Sequence, residues 1–343
     1  MSETRPAPRN ATMRYVVLAA LLVAVAVGWT VAWNFLAGRA DARLQRHLAR
    51  LAEHGTVFTC AERSIAGYPF RFEVDCAKPR LVVARAGDIE FAAERLRLVG
   101  MIWQPLKLVS FLDGPATLRD PATGALYDAT WTATEGSIGF ATLNIDRASA
   151  VFDDLAIAES GVERPARLAA RHLEFHGRPA AGPDAGPEDV DLALTAEELV
   201  LSDGAGHDLP PLALSADTTA RNVLGAAIGA RRQSDFLKRW QAADGALEIV
   251  AARLAVGSGF LAAGTGRLRL DGSGRLVGNI DANIAGIEKL LGGNGNILAT
   301  LGTALLGPAS ELEGRPARAA KLRFDAGRVN LGPLTISELP PLY

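Results

Sequence analysis

The chain is short of most residues that carry chemistry. Among 343 residues there are two cysteines, five histidines and three methionines, and only 6% are aromatic. No C-x-x-C occurs, which removes the usual redox dithiol, and no second cysteine pair completes a tetrahedral zinc set. No G-x-x-x-x-G-K-[ST], H-E-x-x-H or G-x-S-x-G occurs either, so phosphate-loop, zincin and nucleophile-elbow chemistry have no motif to rest on. Charge of either sign is not in excess. The formal net charge is -2, which offers nothing to a nucleic-acid partner. A charged fraction of 22% is ordinary and argues against wholesale disorder.

Long apolar runs are also scarce, with one exception. Tyr15 to Leu36, YVVLAALLVAVAVGWTVAWNFL, carries no charge over its whole length. A helix of that length crosses roughly 30 Å of hydrocarbon. Tyr15, Trp29 and Trp33 lie towards its ends, where amphipathic rings favour the interface. Arg5, Arg9 and Arg14 form a basic flank in front of it. The run exceeds the h-region of a cleaved signal peptide, and the nearest A-x-A, Ala40-Asp41-Ala42, is badly placed between arginines. The expectation is a single-pass signal anchor in the cytoplasmic (inner) membrane. Residues 1–14 form its cytoplasmic tail, 15–36 the span and 37–55 a juxtamembrane helix with Leu44, Leu48 and Leu51 at helical spacing, stopped by Gly55. The remainder is expected in the periplasm.

An exported domain can keep a disulfide, and two cysteines suffice for one. Fifteen residues separate Cys60 from Cys76. His54 is the only histidine nearby, so a structural Cys60–Cys76 bond is the preferred reading. Between them, Phe72 and Val74 continue an alternation begun at Phe70, against Arg71, Glu73 and Asp75, the period of a half-buried strand. Pro69 biases Tyr68 towards an extended backbone, and Gly67 supplies turn freedom. The expected picture is a clamp pinning a first strand beside the membrane-proximal helix.

From Arg80 onward short alternating runs are separated by Gly, Pro and Asp. They predict a mainly β ectodomain: a large bent antiparallel sheet or sandwich-like assembly with two or three helices. Residues 56–220 are read as its β-rich first half, carrying the disulfide, and 221–343 as an α+β second half with hairpins. Helical patterns are expected over 221–241, with Leu224, Ile228, Phe236, Leu237 and Trp240 apolar, and over 287–306. Gly272–Gly278, GSGRLVG, superficially resembles a dinucleotide fingerprint but leads into another strand, so a hairpin turn is the plainer reading. His172, Glu174 and His176 would share one strand face, without a visible fourth metal ligand. The pairs Asp153/Asp154 and Glu197/Glu198 would point opposite ways and so make no dyad.

The segment FTCAERSIAGYPFRFEVDC carries a further signal. Cys60, then Gly67-Tyr68-Pro69-Phe70-Arg71, then Cys76 resembles the family of uncharacterised bacterial proteins called DUF2125. FLKRWQAADGALEI from Phe236, GRLRLDGSGRLVGNI from Gly266 and GRVNLGPLTISELPPLY at the end fit the family's style. The resemblance implies membrane or periplasmic proteins of Gram-negative, mainly alphaproteobacterial, cells. It supplies no catalytic residues and no cofactor. The expected function is therefore a non-enzymatic, membrane-anchored envelope scaffold or partner-binding module. A lipid-handling protein that uses an apolar sheet groove is the alternative, and an envelope hydrolase the second. The expected partners are the membrane and a lipid or envelope protein.

Overall fold

A computed structural model describes residues 11–53, 55–84, 88–121, 123–141, 144–203, 210–228, 230, 232–257, 259–287 and 306–343. The first ten residues of the expected tail, His54, His207, Ser258 and nearly all of the helical pattern expected over 287–306 lie outside these.

The chain opens with α1 (Ala11–Glu53), one uninterrupted helix in which the apolar run and the juxtamembrane segment are continuous. Its uncharged part is rich in Ala, Leu and Val and exposed over most of its length. Residues Met13–Glu53 are long and apolar enough to cross a membrane, which fits a single-pass anchor. A signal sequence near the N-terminus shares that property. Gly55 ends the helix at φ 81°, with its N–H on the Ala52 carbonyl at 2.9 Å. That left-handed stop is the conformation glycine supplies without steric cost. On the following stretch of the helix Leu44, Leu48 and Leu51 are half-buried, while Arg43, Arg46 and Arg50 are exposed.

Among the described residues nineteen strands follow. They are β1 (Thr56–Thr59), β2 (Glu62–Ala66), β3 (Arg71–Ala77), β4 (Arg80–Val83), β5 (Ile89–Met101), β6 (Gln104–Asp120) and β7 (Ala125–Thr130). Next come β8 (Ala133–Ala141), β9 (Asn144–Glu159), β10 (Arg167–Pro179), β11 (Val190–Ser202) and β12 (Leu212–Arg221). Two short helices, α2 (Val223–Ala227) and α3 (Gln233–Ala242), replace the single helical stretch expected over 221–241. The chain closes with β13 (Ala246–Val256), β14 (Phe260–Leu270), β15 (Leu276–Ala285), β16 (Ala309–Leu312), β17 (Arg315–Asp325), β18 (Arg328–Leu331) and β19 (Leu334–Glu338).

All nineteen strands belong to one sheet, and each pairing in it is antiparallel, as the alternating runs led us to expect. From β8 to β15 consecutive strands pair with one another. The ladder passes through Arg221 without a break, because β12 pairs with both β11 and β13. At the membrane end β5 divides its length between β4 and β3, and β6 divides its own between β7 and β8.

The sheet is not wrapped around a compact core. The chain exposes 21908 Å², whereas a compact monomer of 36.1 kDa exposes roughly 13,000 Å². The free-standing part of α1 accounts for some of the excess. Its fully buried members are mostly alanines, and Leu261 is the largest side chain below 2% exposure. Leu173, Leu194, Leu214 and Leu254 are only half-buried, and no second layer of strands covers them among the described residues. Gly264 and Gly266 let β14 and β15 approach closely. A Cβ on either would stand 2.5 or 2.4 Å from a carbonyl oxygen of β15, closer than any side chain can approach a neighbouring backbone.

Candidate functional site

The first part of the site is the junction of helix and sheet. Cys60 and Cys76 form the expected disulfide. It ties the turn before β2 to β3, so the intervening hairpin is held at its open end. The closed end, Gly67 to Phe70, turns against α1. Gly67 sits at φ 101° with its Cα facing Arg71, where a Cβ would meet the Arg71 carbonyl at 2.6 Å. Trp29 Nε1 donates to the Pro69 carbonyl at 3.0 Å, and the Thr30 and Tyr68 hydroxyls are 2.8 Å apart. Trp33 stacks flat on Phe72, centroids 5.7 Å apart and planes 6° apart, and meets Tyr68 edge-on at 5.6 Å. Arg63 pairs with Asp41 at 2.8 Å one strand higher. Of the motif residues, Tyr68, Pro69 and Arg71 thus reach the helix through side chain or carbonyl, while Phe70 stays 57% exposed.

The second part is a continuous apolar face that begins at Phe72. Residues paired across an antiparallel ladder share a face, so the face can be followed strand by strand. One row runs Phe72, Gly100, Leu108, Ile138, Ala148, Gly177, Leu192 and on through Thr218, Ile249, Gly266, Ile280, Leu322 and Leu331. The next row runs Ile65, Val74, Leu98, Ser110, Gly136, Ala150, Phe175 and on through Leu194, Ala216, Ala252, Gly264, Ala282 and Ala320. Neither row contains a charge. At ~4.8 Å per strand each spans roughly 60 Å. Near the far end, small residues floor an open depression of about 920 Å³, with Leu306 and Pro308 at its edge.

A family model described as an uncharacterized protein conserved in bacteria, DUF2125, matches residues 33–340. The chain belongs to the DUF2125 family. No curated protein and no solved structure matches it. The match begins at Trp33, the ring that stacks on Phe72, and so takes in the docked end of the helix and almost the whole sheet of this DUF2125 protein.

Its opposite face is polar and closed by ion pairs. His172, Glu174 and His176 do share that face, as the strand period predicts. His172 Nδ1 lies 2.7 Å from Asp153, and His176 bridges Glu174 at 2.7 Å and the Ser149 hydroxyl at 2.8 Å. The bond to Asp153 carries the His172 imidazole above the ordinary histidine value, against the opposing effect of burial. Among the described residues no group of three His, Cys, Asp or Glu side chains is arranged to hold a metal. The adjacent acids behave differently from the expectation. Arg171 bonds both Glu197 and Glu198, so the two carboxylates reach one side. The cause is local: Asp154 and Glu198 take left-handed φ values of 50° and 49°. Ala196 and Leu199, three apart, pair with Leu214 and Leu212, two apart. One alternation is skipped there, which keeps Leu199 and Leu201 of this DUF2125 chain on the apolar face.

A network that the sequence did not single out lies at the end of β12. Asp189 is 4% exposed and accepts from Arg221 Nη1 and from the Gly186 and Asn222 backbone N–H groups, each at 2.8 Å. Burial pushes its carboxyl up. The guanidinium and the two N–H groups more than offset this and hold it below the ordinary carboxylate range. Arg221 also donates twice to Glu248. The only local signal for it is the Gly/Pro/Asp-rich stretch over 180–190, AAGPDAGPEDV, before β11, whose composition is that of an exposed turn. GSGRLVG is a hairpin turn: Asp271 Oδ1 accepts the N–H groups of Ser273 and Arg275 at 2.8 and 3.0 Å, and β14 and β15 pair antiparallel on either side.

Proposed function

We propose that this is a non-enzymatic lipid-handling protein of the inner membrane, with α1 as its single-pass anchor and its sheet in the periplasm. The observation that carries the reading is the pair of uncharged rows along one face of the sheet, which start beside the ring stacked on the anchor helix. Leu306 packs on the far end, against Ala320 and Leu331, but among the described residues no second layer of strands covers the rest, and an apolar surface of this length needs an apolar occupant to leave water. Acyl chains are the occupant that the adjoining membrane supplies. The basic flank of Arg5, Arg9 and Arg14 supports the orientation, and the Cys60–Cys76 bond suits an oxidising compartment. In this reading the polar face, with its paired acids and histidines, is the wetted outside of the track.

A photo-crosslinking amino acid at Phe175, 43% exposed on the apolar face, tests this in cells. Adducts of lipid mass are expected there and not at Asp217, which is exposed and paired with Ala193 on the polar face. Absence of lipid adducts at Phe175, or equal yields at both positions, would refute the reading. A protein adduct at Phe175 would instead favour an envelope partner seated on the same face.

A further inference from the structure

Two hairpin tips hang side by side next to the anchor. One is Gly67–Phe70 between β2 and β3, and the other is Ile102–Trp103 between β5 and β6. The Ile102 N–H donates to the Phe70 carbonyl at 3.1 Å, and the Phe70 and Trp103 rings lie 6.4 Å apart. Neither 67–70 nor 102–106 contains a charged residue. Yet large apolar groups project from both: Tyr68 is 48% exposed, Phe70 57%, Trp103 64% and Leu106 49%.

The contacts with α1 fix how deep these tips sit. Arg63 is held at Asp41 and Pro69 at Trp29, so the hairpin runs down the helix towards its N-terminus. From residue 41 to residue 30 the helix descends roughly 16 Å, and the five residues of β2 cover about the same distance. The tip is therefore level with Trp29, seven residues before the uncharged run ends at Leu36. That places it roughly 10 Å inside the end of the run, where interfacial rings and the first acyl carbons meet. A crevice of about 240 Å³ opens at the same level, lined by Trp29, Trp33, Phe72, Gly100, Ile102 and Pro105 among others. Phe72 and Gly100 are the first two members of the apolar row, so the crevice is continuous with it.

We propose that Tyr68, Phe70, Trp103 and Leu106 form a wedge inserted into the bilayer leaflet on the domain's side, seating the start of the apolar face among lipid chains. The wedge rests on the membrane-anchored lipid-handling reading for its purpose, but its location is measured without reference to lipid occupancy of the sheet. The test uses the full chain in vesicles of phosphatidylethanolamine and phosphatidylglycerol. Because Cys60 and Cys76 are bonded to each other, a nitroxide can be attached at Phe70→Cys, Trp103→Cys or Leu106→Cys, with Asp217→Cys as the aqueous reference. Collision with molecular oxygen should exceed collision with a water-soluble nickel chelate several-fold at 70, 103 and 106, and the order should reverse at 217. Accessibility at the three tip positions matching 217 would overturn the wedge. So would tip labels shielded from both reagents, the signature of a covering protein. Lipid-immersed tips without a lipid adduct at Phe175 would leave the wedge standing and remove the lipid-handling reading. A Phe175 adduct with aqueous tips would do the opposite.

Discussion

Replacing Arg221 by methionine isolates the one deeply buried carboxylate among the described residues. Methionine keeps the length of the stem and removes the guanidinium that donates to Asp189, Glu248 and the Asp184 carbonyl. Glu248 loses little beyond those bonds, because it is part-exposed and Arg267 remains 3.6 Å away. Asp189 keeps two backbone donors but no counter-charge, at 4% exposure. Breaking a buried pair in this way costs about 3–5 kcal/mol, which for a chain of this size lowers the melting temperature by about 5–10 °C. The pH profile should change too. Asp189 titrates below its unfolded value, so its stabilisation is present above the unfolded pKa and is lost as pH falls through the folded one. Arg221→Met moves that loss to higher pH. Calorimetry at pH 7 and pH 4 measures both effects. Adding Asp189→Asn, which removes the charge and keeps an acceptor for one of the two N–H groups, which bond different carboxylate oxygens, should recover part of the lost stability. A single-variant shift below about 2 °C, or a double variant less stable than the single, would refute the argument.

Three further outcomes follow from the described contacts. Non-reducing peptide mapping should recover Cys60 joined to Cys76, and replacing both by serine should cost about 3 kcal/mol in thermal unfolding, the value for a loop of this length. Gly264→Val should destabilise by about 1–3 kcal/mol and weaken amide protection of β14 and β15, because its Cβ would lie 2.5 Å from the Asp281 carbonyl. A proton NMR titration should place His172 above the free-histidine value, and Asp153→Asn should bring it down. Its contribution to stability is full below about pH 6.5 and fades as pH rises through the folded pKa.

Much of this was legible along the chain. The uncharged run from Tyr15 to Leu36, the clamp residues and the Asp271 turn are local features, and local chemistry determines them. The alternation that marks Leu268 and Leu270 against Arg267 and Arg269 is also local, and the strand there is where that pattern puts it. The skipped alternation at Asp154 and Glu198 was not legible, because a left-handed residue inside a strand leaves no period of its own. The apolar rows were hidden for a different reason. Their members are about 10 to 40 residues apart, and only the register of twelve successive pairings lines them up. Arg221 sits where the helical pattern over 221–241 begins, and its pairing with Asp189 depends on a return of the chain over more than thirty residues.

The meander has a consequence for how such a protein can change in length. From β9 to β14 each strand hydrogen-bonds to the strand before it and the strand after it in sequence. An inserted pair of strands in this region would need no new long-range partner and would disturb no closed core. Each added hairpin would extend the track by about 10 Å, the reach of the sheet being in effect a count of hairpins. The two ends are the fixed points: one is riveted to the anchor through Trp33 and Phe72, and the other is β19, whose residues are all exposed. In a chain built this way, duplication of a hairpin alone would lengthen the sheet.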